Sequence, residues 1–568
     1  MQGNWDHRRV EIVSRLGEMG RRKFLYLAGA SAAALVFGAG PFTEKVWAQP
    51  TFPAYPFSLG VASGDPLPDG VVLWTRLAPD PLIDGGGMPP DSSVQLQWQV
   101  ADDEAFTSVV QQGPVMAVPE MAHSVHVEVR GLQAAREYFY RFTVPDGTGT
   151  VASPIGRTKT APAAGASVTR MSFAFVSCQM YEHGYYTAYR RMAEVENLDL
   201  VVHLGDYIYE NGAGNYQAPG GNVRTHSGRE TYSLWDYRNR HAQYKTDPDL
   251  QAAQKRFPFL VTWDDHEVDN NYADDIPTYS STVAEFLVRR AAAYQAYYEH
   301  MPLRLSSVPS GPDMLLYRRL AYGNLAEFNV LDTRQYRSDQ VTTDAQRKDP
   351  ARTITGAAQE TWLRDGLAAA QARGVTWKVL AQQTFFAQRD LDTSVSGQSY
   401  LMDAWDGYVG SRDRILNHVL DGKIQNPVVL SGDVHNNWAC DLKADFNIPT
   451  SQTLGVELVG TSVTSGGDGA DTGTTQEAIV KHNPHIKFFN GQRGYVRCTL
   501  TPTQWLADYR VLPYVTQPGA AISTRATYKV AAGNPGLQLV TQQAPVGVQS
   551  SEAAIESDRE RSKAQRQR

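Results

Sequence analysis

The sequence predicts an α/β fold preceded by a β-sandwich of immunoglobulin or fibronectin type, and three observations support this. Short alternating or aromatic-rich segments, separated by Gly, Pro and Asp turns, fill residues 52–157. Strand–helix–strand units recur from residue 171 onward, as in α/β proteins. Three of the apolar strands in that part end in Asp, His, Asn or Tyr, which predicts a polar site at the carboxyl edge of a sheet.

Size and charge limit the classes of protein to which the chain can belong. Its 568 residues are 42% hydrophobic, enough for a large buried core. The formal net charge of -7 is spread without a basic stripe, which argues against nucleic acid as a specific partner. The 3 cysteines are too few for a disulfide scaffold. Cys440 and Cys498 are able to pair in an exported protein, and the sequence leaves that pairing open.

Residues 1–48 are predicted to be an export signal. Arg21 and Arg22 precede a short apolar run and a small-residue cleavage site after Ala48. The run is too short and too rich in Ala and Gly for a stable membrane span; a fortuitous basic helix or an uncleaved anchor is the alternative. The paired arginines resemble a twin-arginine signal, which predicts the twin-arginine translocation machinery as a partner and a soluble periplasmic or secreted protein.

Residues 50–160 form the predicted N-terminal β-sandwich domain. Its strands are expected in VVLWTRLA, VQLQWQVA, HSVHVEVRGL and EYFYRFTV. No cluster of catalytic residue types occurs there, so a structural role is expected. Residues 158–170 are small, polar and contain proline, which is typical of a linker.

Residues 170–515 form the predicted catalytic domain. Strands are expected in MSFAFVSCQ, LDLVVHLGD, FPFLVTW, AEFNVLDTRQY, TWKVLAQQT and NPVVLSG, and helices in YYTAYRRMAEVE, EFLVRRAAAYQAYYEHM and QETWLRDGLAAAQAR. Strand patterns return in TLGVELVGTSVTSGG and RGYVRCTLTPTQWLADYRVL. Beyond Pro518 the pattern weakens, and residues 516–568 are predicted to be a partly disordered C-terminal extension.

Two consecutive strands end in potential metal ligands. Asp206 follows LDLVVHLG, and Tyr209 at i+3 is able to present its phenol oxygen to the same point. A phenolate is a hard anionic donor suited to Fe3+, although a core aromatic is the alternative for Tyr209. Cys178 ends the preceding strand and is either a buried small hydrophobe, a disulfide partner or a metal ligand.

Two later segments carry the same residue types. Asp265 and His266 lie in WDDHE, directly after the apolar FPFLVTW. A solvated loop is the alternative, but unpaired carboxylates are costly so close to the core, which favours a metal role. Asp433 and His435, at i and i+2, project to the same side of an extended strand end.

The ordered motifs strand-Cys, GDxxY, DDHE and GDxH resemble the PhoD-like alkaline phosphatases within the calcineurin-like metallophosphatase superfamily. FSLGVASGDP, DYRNRHAQY, LDTRQYR and WDGYVGSRDR extend the resemblance over residues 21–515. It implies an αββα catalytic sandwich. In ordinary metallophosphatases an Asn stands at the position of Asp265 and a His at that of Asp433, so this chain offers more hard oxygen donors.

The resemblance also implies the metals and their ligands. The implied Fe3+ ligands are Cys178, Asp206, Tyr209 and His435. The implied Ca2+ ligands are Asp206, Asp265 and Asp433, with Asn270 and Asn271 as further candidates that the sequence does not distinguish.

Two residues are candidates for contact with substrate. His266 occupies the position at which related enzymes place a histidine near the phosphate and the leaving oxygen. Arg238 is our candidate for a phosphate clamp, and a structural salt bridge with Asp236 or Asp247 is its alternative.

The resulting hypothesis is a monomeric exported enzyme that hydrolyses phosphomonoesters, with phosphodiesters also expected, by a metal-activated hydroxide. Phosphate acquisition is the expected role. One alternative is a phosphodiesterase of phospholipase D type acting on lipid headgroups. The other is a non-catalytic surface protein that binds phosphate.

Overall fold

The computed structural model describes residues 51–147, 149–278, 281–394, 398–551 and 554. The predicted export signal, residues 1–48, lies outside the described residues, as does nearly all of the charged tail beyond residue 551. Within the described part of the chain, no helix is both long enough and apolar enough to cross a membrane.

The regular elements alternate as the sequence predicts. The strands are β1 Val61–Leu67, β2 Gly70–Arg76, β3 Val94–Ala101, β4 Val109–Ala117, β5 Ser124–Val129, β6 Glu137–Asp146, β7 Gly149–Ala152, β8 Gly156–Lys159, β9 Met171–Val176, β10 Leu200–His203, β11 Pro258–Val261, β12 Arg318–Tyr322, β13 Ala326–Val330, β14 Trp377–Ala381, β15 Pro427–Ser431, β16 Asn437–Lys443, β17 Thr453–Val459, β18 Ile486–Asn490, β19 Gly494–Leu500, β20 Gln504–Val511, β21 Ser523–Ala531 and β22 Asn534–Gln542. The helices are α1 Thr187–Val195, α2 Leu234–Lys245, α3 Pro248–Arg256, α4 Val283–His300, α5 Asp344–Arg347, α6 Gly356–Ala372, α7 Val409–Asp421 and α8 Thr474–His482.

Two large sheets pack face to face in the catalytic region. The first runs β22-β21-β20-β19-β9-β10-β11-β1-β2-β5 and the second runs β12-β13-β14-β15-β17-β16-β18. Their apolar side chains meet in one core, where the rings of Phe173 and Phe328 lie edge to face with centroids 5.1 Å apart. Helices α1 to α4 cover the outer face of the first sheet, and α6 to α8 cover that of the second. The predicted αββα sandwich is confirmed.

The N-terminal strands do form a sandwich, but it shares a sheet with the catalytic region. A third sheet, made of β3, β4, β6, β7 and β8, packs on β1, β2 and β5 of the first sheet through an apolar core. Strand β1 in turn pairs in parallel with β11, with Ser63 opposite Pro258 and Gly64 opposite Phe259. The predicted N-terminal sandwich is thus joined to the catalytic region, because backbone hydrogen bonds across β1 and β11 continue the catalytic sheet.

The C-terminal region contains regular structure that the sequence pattern did not reveal. Strands β21 and β22 extend the first sheet beyond β20, although much of β22 is exposed. Residues 523–542 of the extension form this β21–β22 hairpin, whereas most of the charged tail lies outside the described residues, so the partly disordered extension stays a prediction.

The three cysteines are buried free thiols. Cys440 lies on β16 of the second sheet, whereas Cys498 lies on β19 of the first. The pairing that the sequence left open is therefore not formed.

Candidate metal centre

The predicted ligands lie together at the carboxyl ends of four strands. Cys178 follows β9, Asp206 follows β10, Asp265 follows β11 and Asp433 follows β15. Since β9, β10 and β11 are parallel neighbours, their carboxyl ends meet at one edge of the first sheet. Strand β15 brings the second sheet to the same place, as the sequence analysis expected.

Four of the predicted ligands have a left-handed backbone. The φ angles are 58° at Cys178, 54° at Asp206, 63° at Asp433 and 58° at His435. Non-glycine residues adopt this conformation rarely, and it costs free energy that the surrounding structure must offset. Such a concentration of left-handed residues indicates that the loops are shaped to aim side chains at a common point.

Two glycines allow these loops to approach closely. Gly205 has a φ of +108°, and a Cβ there would lie 2.5 Å from the backbone nitrogen of Asp264. A Cβ on Gly432 would lie 2.4 Å from Ser177 Oγ. Side chains at these two positions would separate the strand ends that carry the ligands.

A buried glutamate ties two of the loops together. The Glu267 carboxylate accepts hydrogen bonds from the backbone N–H groups of Asp206 at 3.1 Å and Asp264 at 2.7 Å, and also from that of Tyr207. Glu267 therefore fixes the Asp206 loop against the loop that carries Asp265 and His266.

One group of donors contains sulfur, nitrogen and oxygen. Single donor atoms of Cys178, Asp206 and His435 all lie within 4.8 Å of one another. The Tyr209 hydroxyl donates to Asp206 Oδ2 at 2.9 Å and lies 3.2 Å from His435 Nε2. Ser465 Oγ donates to the Tyr209 oxygen at 2.7 Å and so holds the phenol in this group.

A second group shares Asp206 with the first. Donor atoms of Asp206, Asp265 and His266 also lie within 4.8 Å of one another. Asp433 lines the same cavity as these three residues, and its charge acts on the Asp206 carboxylate. Asn270 and Asn271 line that cavity as well. The structure thus brings together all six residues that the sequence analysis assigned to metals.

The unpaired atoms of the cluster fit bound cations. Among the described residues, Asp206 Oδ1 and Asp265 Oδ1 are buried without a hydrogen-bond partner, although the Arg334 guanidinium lies 3.7 Å from Asp265 Oδ1. Burial, followed by the neighbouring carboxylates, raises the pKa of Asp206 well above its usual range. Because an unpaired buried carboxylate is costly, a cation shared through Asp206 would relieve both the missing partner and the repulsion.

The Cys178 thiol and the Tyr209 phenol also need a nearby positive charge in order to ionise. Burial raises the pKa of Cys178 well above its usual value, and the negative charge of Asp206 raises it further. The pKa of Tyr209 is raised well above its usual value by the same two causes. A nearby cation favours the ionised form of both groups, so the donor set suits a metal rather than a purely protein-based site.

His266 is oriented by a buried carboxylate. Its Nδ1 lies 2.7 Å from Glu210 Oε2, and Glu210 Oε1 accepts from the Asn270 backbone N–H at 3.0 Å. The ring also stacks on Tyr209 with centroids 4.2 Å apart. Burial alone would lower the pKa of His266, but Glu210, Asp265 and Asp206 together raise it well above its usual value.

Arg238 lies elsewhere. Its guanidinium forms an ion pair with Glu299 at 2.5 Å and donates to the carbonyl oxygen of Glu120 at 2.9 Å. It lines a separate cavity of about 150 Å³ between α2 and the N-terminal strands. The structure therefore does not bring Arg238 to the metal ligands, and its clamp role is not supported.

The alternative for Arg238, a structural salt bridge, does form, but its partner is Glu299 rather than Asp236 or Asp247. Asp236 accepts from the backbone N–H of Ser233 and caps α2, while Asp247 caps α3 and pairs with Arg224 at 2.6 Å. Both carboxylates are occupied by helix capping, which places their oxygens at the helix N-termini rather than beside Arg238.

The cavity at the metal ligands has a volume of about 540 Å³. Among the described residues, no Arg or Lys lines it, whereas five aspartates do: Asp206, Asp265, Asp339, Asp403 and Asp433. No guanidinium or ammonium group is therefore placed to bind an anionic substrate there, and His266 is the basic side chain of the lining.

Comparison with known proteins identifies the family to which these residues belong. The profile of the PhoD-like phosphatase family matches residues 173–509, and that of the PhoD-like phosphatase N-terminal domain matches residues 44–162. The chain belongs to the PhoD-like phosphatase family. It is accordingly a metal-dependent phosphoric ester hydrolase, with a small-molecule phosphoester as its substrate.

Individual relatives agree over nearly the whole chain. Alkaline phosphatase D of Bacillus subtilis (strain 168) is 53% identical over 571 residues, which cover 98% of this chain and 96% of the relative. A solved structure of PhoD is 54% identical with a TM-score of 0.87, and the match covers 91% of this chain and 98% of that chain. The resemblance inferred from the motif order is confirmed.

Sequence reasoning missed several residues that shape the PhoD-like site. Glu210 and Glu267 stand beside predicted ligands in GDYIYE and WDDHE, so their position was a usable signal. The sequence around Ser465 gave no such signal, because Ser465 is distant from Tyr209 along the chain and comes next to it only in the folded protein. Arg240, which donates to the backbone oxygens of Tyr209 and Asn211, lies in the same helix as the rejected Arg238.

Proposed function

We propose that the protein is an exported phosphoesterase of alkaline phosphatase D type that releases phosphate from phosphomonoesters and phosphodiesters outside the cytoplasm, as a monomer. The observation that carries this proposal is the sharing of Asp206 by two groups of donors, with oxygens left unpaired, in a cavity without an Arg or Lys among its described residues. A phosphate ester is anionic, so such a cavity needs metal ions to receive it.

We assign Fe3+ and Ca2+ to the two groups. Cys178, Asp206, Tyr209 and His435 would hold iron, since thiolate, phenolate and imidazole suit a transition metal. Asp206, Asp265 and Asp433 would hold calcium, which prefers carboxylate oxygen. When bound, the ions supply the positive charge that offsets the phosphate's charge and make water acidic enough to provide hydroxide.

His266 is the proposed general acid. Since the Glu210 carboxylate accepts the proton on Nδ1, Nε2 is the ring nitrogen available to the leaving oxygen. The Glu210 carboxylate, which is not one of the proposed metal ligands, is the first of the charges that raise the pKa of His266, and it favours the protonated ring that a general acid needs. Glu210 acts through His266 and is therefore a positioning residue.

The leaving group tests this role. His266→Gln should reduce kcat/KM for ethyl phosphate by about 10³-fold and for p-nitrophenyl phosphate by about tenfold, because p-nitrophenolate leaves without a proton. Glu210→Gln should give the same pattern with smaller losses. Equal losses for both substrates would show that His266 is not the acid.

Substrate class is tested with a panel. Purified protein should hydrolyse p-nitrophenyl phosphate and its bis-ester, and EGTA should abolish both activities until calcium is added back. Cleavage of phosphatidylcholine vesicles alone would replace the proposal with a phosphodiesterase of phospholipase D type. Phosphate binding without any hydrolysis would favour a binding protein.

Export and physiological role are tested in cells. Replacing both Arg21 and Arg22 by lysine should leave the protein in the cytoplasm, while a Lys23→Arg control is still exported. Cells that depend on this enzyme should grow on a phosphoester as the phosphate source only with the intact arginine pair. Export of the double-lysine variant would contradict the twin-arginine route.

A further inference from the structure

One wall of the cavity carries none of the proposed metal ligands. Residues 339–342 and 400–403 line it, and we call these two segments the alcohol-side wall. The volume of about 540 Å³ is much larger than a phosphoryl group needs. Once the phosphoryl group lies at the proposed metal ligands, the rest of the cavity is left for the alcohol portion of the substrate, and the alcohol-side wall supplies eight of its lining residues.

One carboxylate of the alcohol-side wall carries an uncompensated charge. Among the described residues, Asp339 is exposed and makes no ion pair, and its Oδ1 accepts only from the Gln340 backbone N–H at 2.7 Å. Asp403 is different, because Arg334 and Arg337 contact its Oδ1 at 2.9 Å and 3.0 Å. Asp339 is thus the charge that an alcohol portion would meet.

The arginines behind the wall are already engaged. Arg334 also pairs with Asp264, and Arg337 also donates to the Tyr408 hydroxyl. Arg347 pairs with Asp344 at 2.7 Å and stacks on Tyr400 at 3.7 Å. Because that guanidinium already occupies one face of Tyr400, the ring is a poor site for a second cation.

The segment that carries Asp339 is held in place. The Gln340 side chain donates to the Asn271 carbonyl oxygen at 2.6 Å and to Asp403 Oδ1 at 2.8 Å. Arg352 donates to the carbonyl oxygen of Asp339 itself. These contacts tie the backbone of the wall to the loop that follows Asp265, and the Asp339 carboxylate accepts from the neighbouring Gln340 N–H group.

We propose that the alcohol-side wall selects phosphoesters whose alcohol portion carries no negative charge and favours those that carry a positive one, with Asp339 as the specificity-determining residue. The inference rests on the proposed phosphoesterase function. A second phosphate or a carboxylate on the alcohol is repelled by Asp339 and meets no Arg or Lys among the described lining residues. A quaternary or primary ammonium is attracted by the same charge.

Three small substrates test the proposal because they share a phosphoryl group and differ in the charge of the alcohol. They are 2-phosphoglycolate, ethyl phosphate and phosphocholine. Each kcat/KM is divided by the ethyl phosphate value, which cancels any general change in activity. The phosphocholine to 2-phosphoglycolate ratio should fall about threefold in Asp339→Asn and about tenfold in Asp339→Lys, with the change mostly in KM. About 0.5 M salt should shrink both effects.

Asp421→Lys is the matched control. Asp421 is exposed at the end of α7, where the chain turns toward the start of β15, at the sheet edge opposite the metal ligands. The Asp421→Lys substitution changes the net charge by the same amount as Asp339→Lys. It should leave the phosphocholine to 2-phosphoglycolate ratio within about twofold of wild type. If both Asp339→Asn and Asp339→Lys leave the ratio unchanged, the inference is wrong. The proposed phosphoesterase function would still stand if the wild-type protein hydrolyses p-nitrophenyl phosphate. If the wild-type protein hydrolyses none of these phosphoesters, both the inference and the proposed phosphoesterase function are wrong.

Discussion

Asp206 in the metal centre and Glu457 in the second sheet are both fully buried carboxylates, yet their surroundings differ. Both oxygens of Glu457 are occupied, by the backbone N–H groups of Phe386 at 2.7 Å and Ala387 at 2.8 Å and by Ser431 Oγ at 2.6 Å. Asp206 Oδ2 accepts from Tyr209, but Oδ1 has no hydrogen-bond partner among the described residues. The chain surrounds the Glu457 carboxylate with donors and leaves one oxygen of Asp206, a proposed metal ligand, without a hydrogen-bond partner.

The largest effect is expected from removing the charge of the open carboxylate. Asp206→Asn should lower kcat/KM for p-nitrophenyl phosphate by about 10³-fold or more, because both metal sites lose their shared ligand. The metal-free variant should unfold at the same or a higher temperature than metal-free wild type, since an unpaired buried charge is gone. Near-normal activity would contradict the role of Asp206.

Metal removal should expose the cost of the open carboxylate. Chelation should destabilise the wild-type protein by about 4 kcal/mol relative to protein in metal at a thousandfold excess over Kd. Calorimetry of loaded and chelated samples measures the difference. The same treatment should change the melting temperature of Asp206→Asn very little, and an equal drop in both proteins would place the stabilising metal elsewhere.

The occupied carboxylate should behave in the opposite way. Glu457→Ala leaves the N–H groups of Phe386 and Ala387 without an acceptor and should lower the free energy of unfolding by about 3 kcal/mol near pH 5. Metal content per chain should match wild type. Loss of metal in this variant would show that Glu457 supports the centre and is not purely structural.

The smallest change, counted per pH unit, is expected from the pH dependence of this occupied carboxyl group. Burial raises the pKa of Glu457 to about 7 from its usual 4.5. The folded state therefore holds a proton that the unfolded state releases above its own pKa, so this stabilisation is complete below pH 4.5 and is lost as pH rises through 7. The stability difference between wild type and Glu457→Ala should shrink by about 1.4 kcal/mol per pH unit across that window. A difference that grows with pH would contradict the assignment.

The sequence could predict which residues lie together at the candidate metal centre, because most of them directly follow apolar strands. Periodicity located β9, β10, β11 and β15, and the motif order supplied the family. Residues that reach the site from distant segments, such as Ser465, could not be predicted from the sequence, because local sequence patterns do not show which distant segments come into contact. The shared sheet at β1 and β11 was missed for the same reason.

Arg238 and Arg240 show where local reasoning failed. Both lie on α2, and two residues along a helix differ by about 200° in direction. Arg240 consequently faces the Tyr209 loop, whereas Arg238 faces Glu299 on α4. The sequence motif alone gave no means of deciding which arginine was directed at the metal ligands.

Metal analysis of active protein tests the central claim most directly. The account predicts iron and calcium together in each chain, with a visible tyrosinate-to-iron absorption band that disappears in Tyr209→Phe. Loss of both metals should accompany loss of activity in Asp206→Asn. A colourless, iron-free preparation with full phosphoesterase activity would contradict the account.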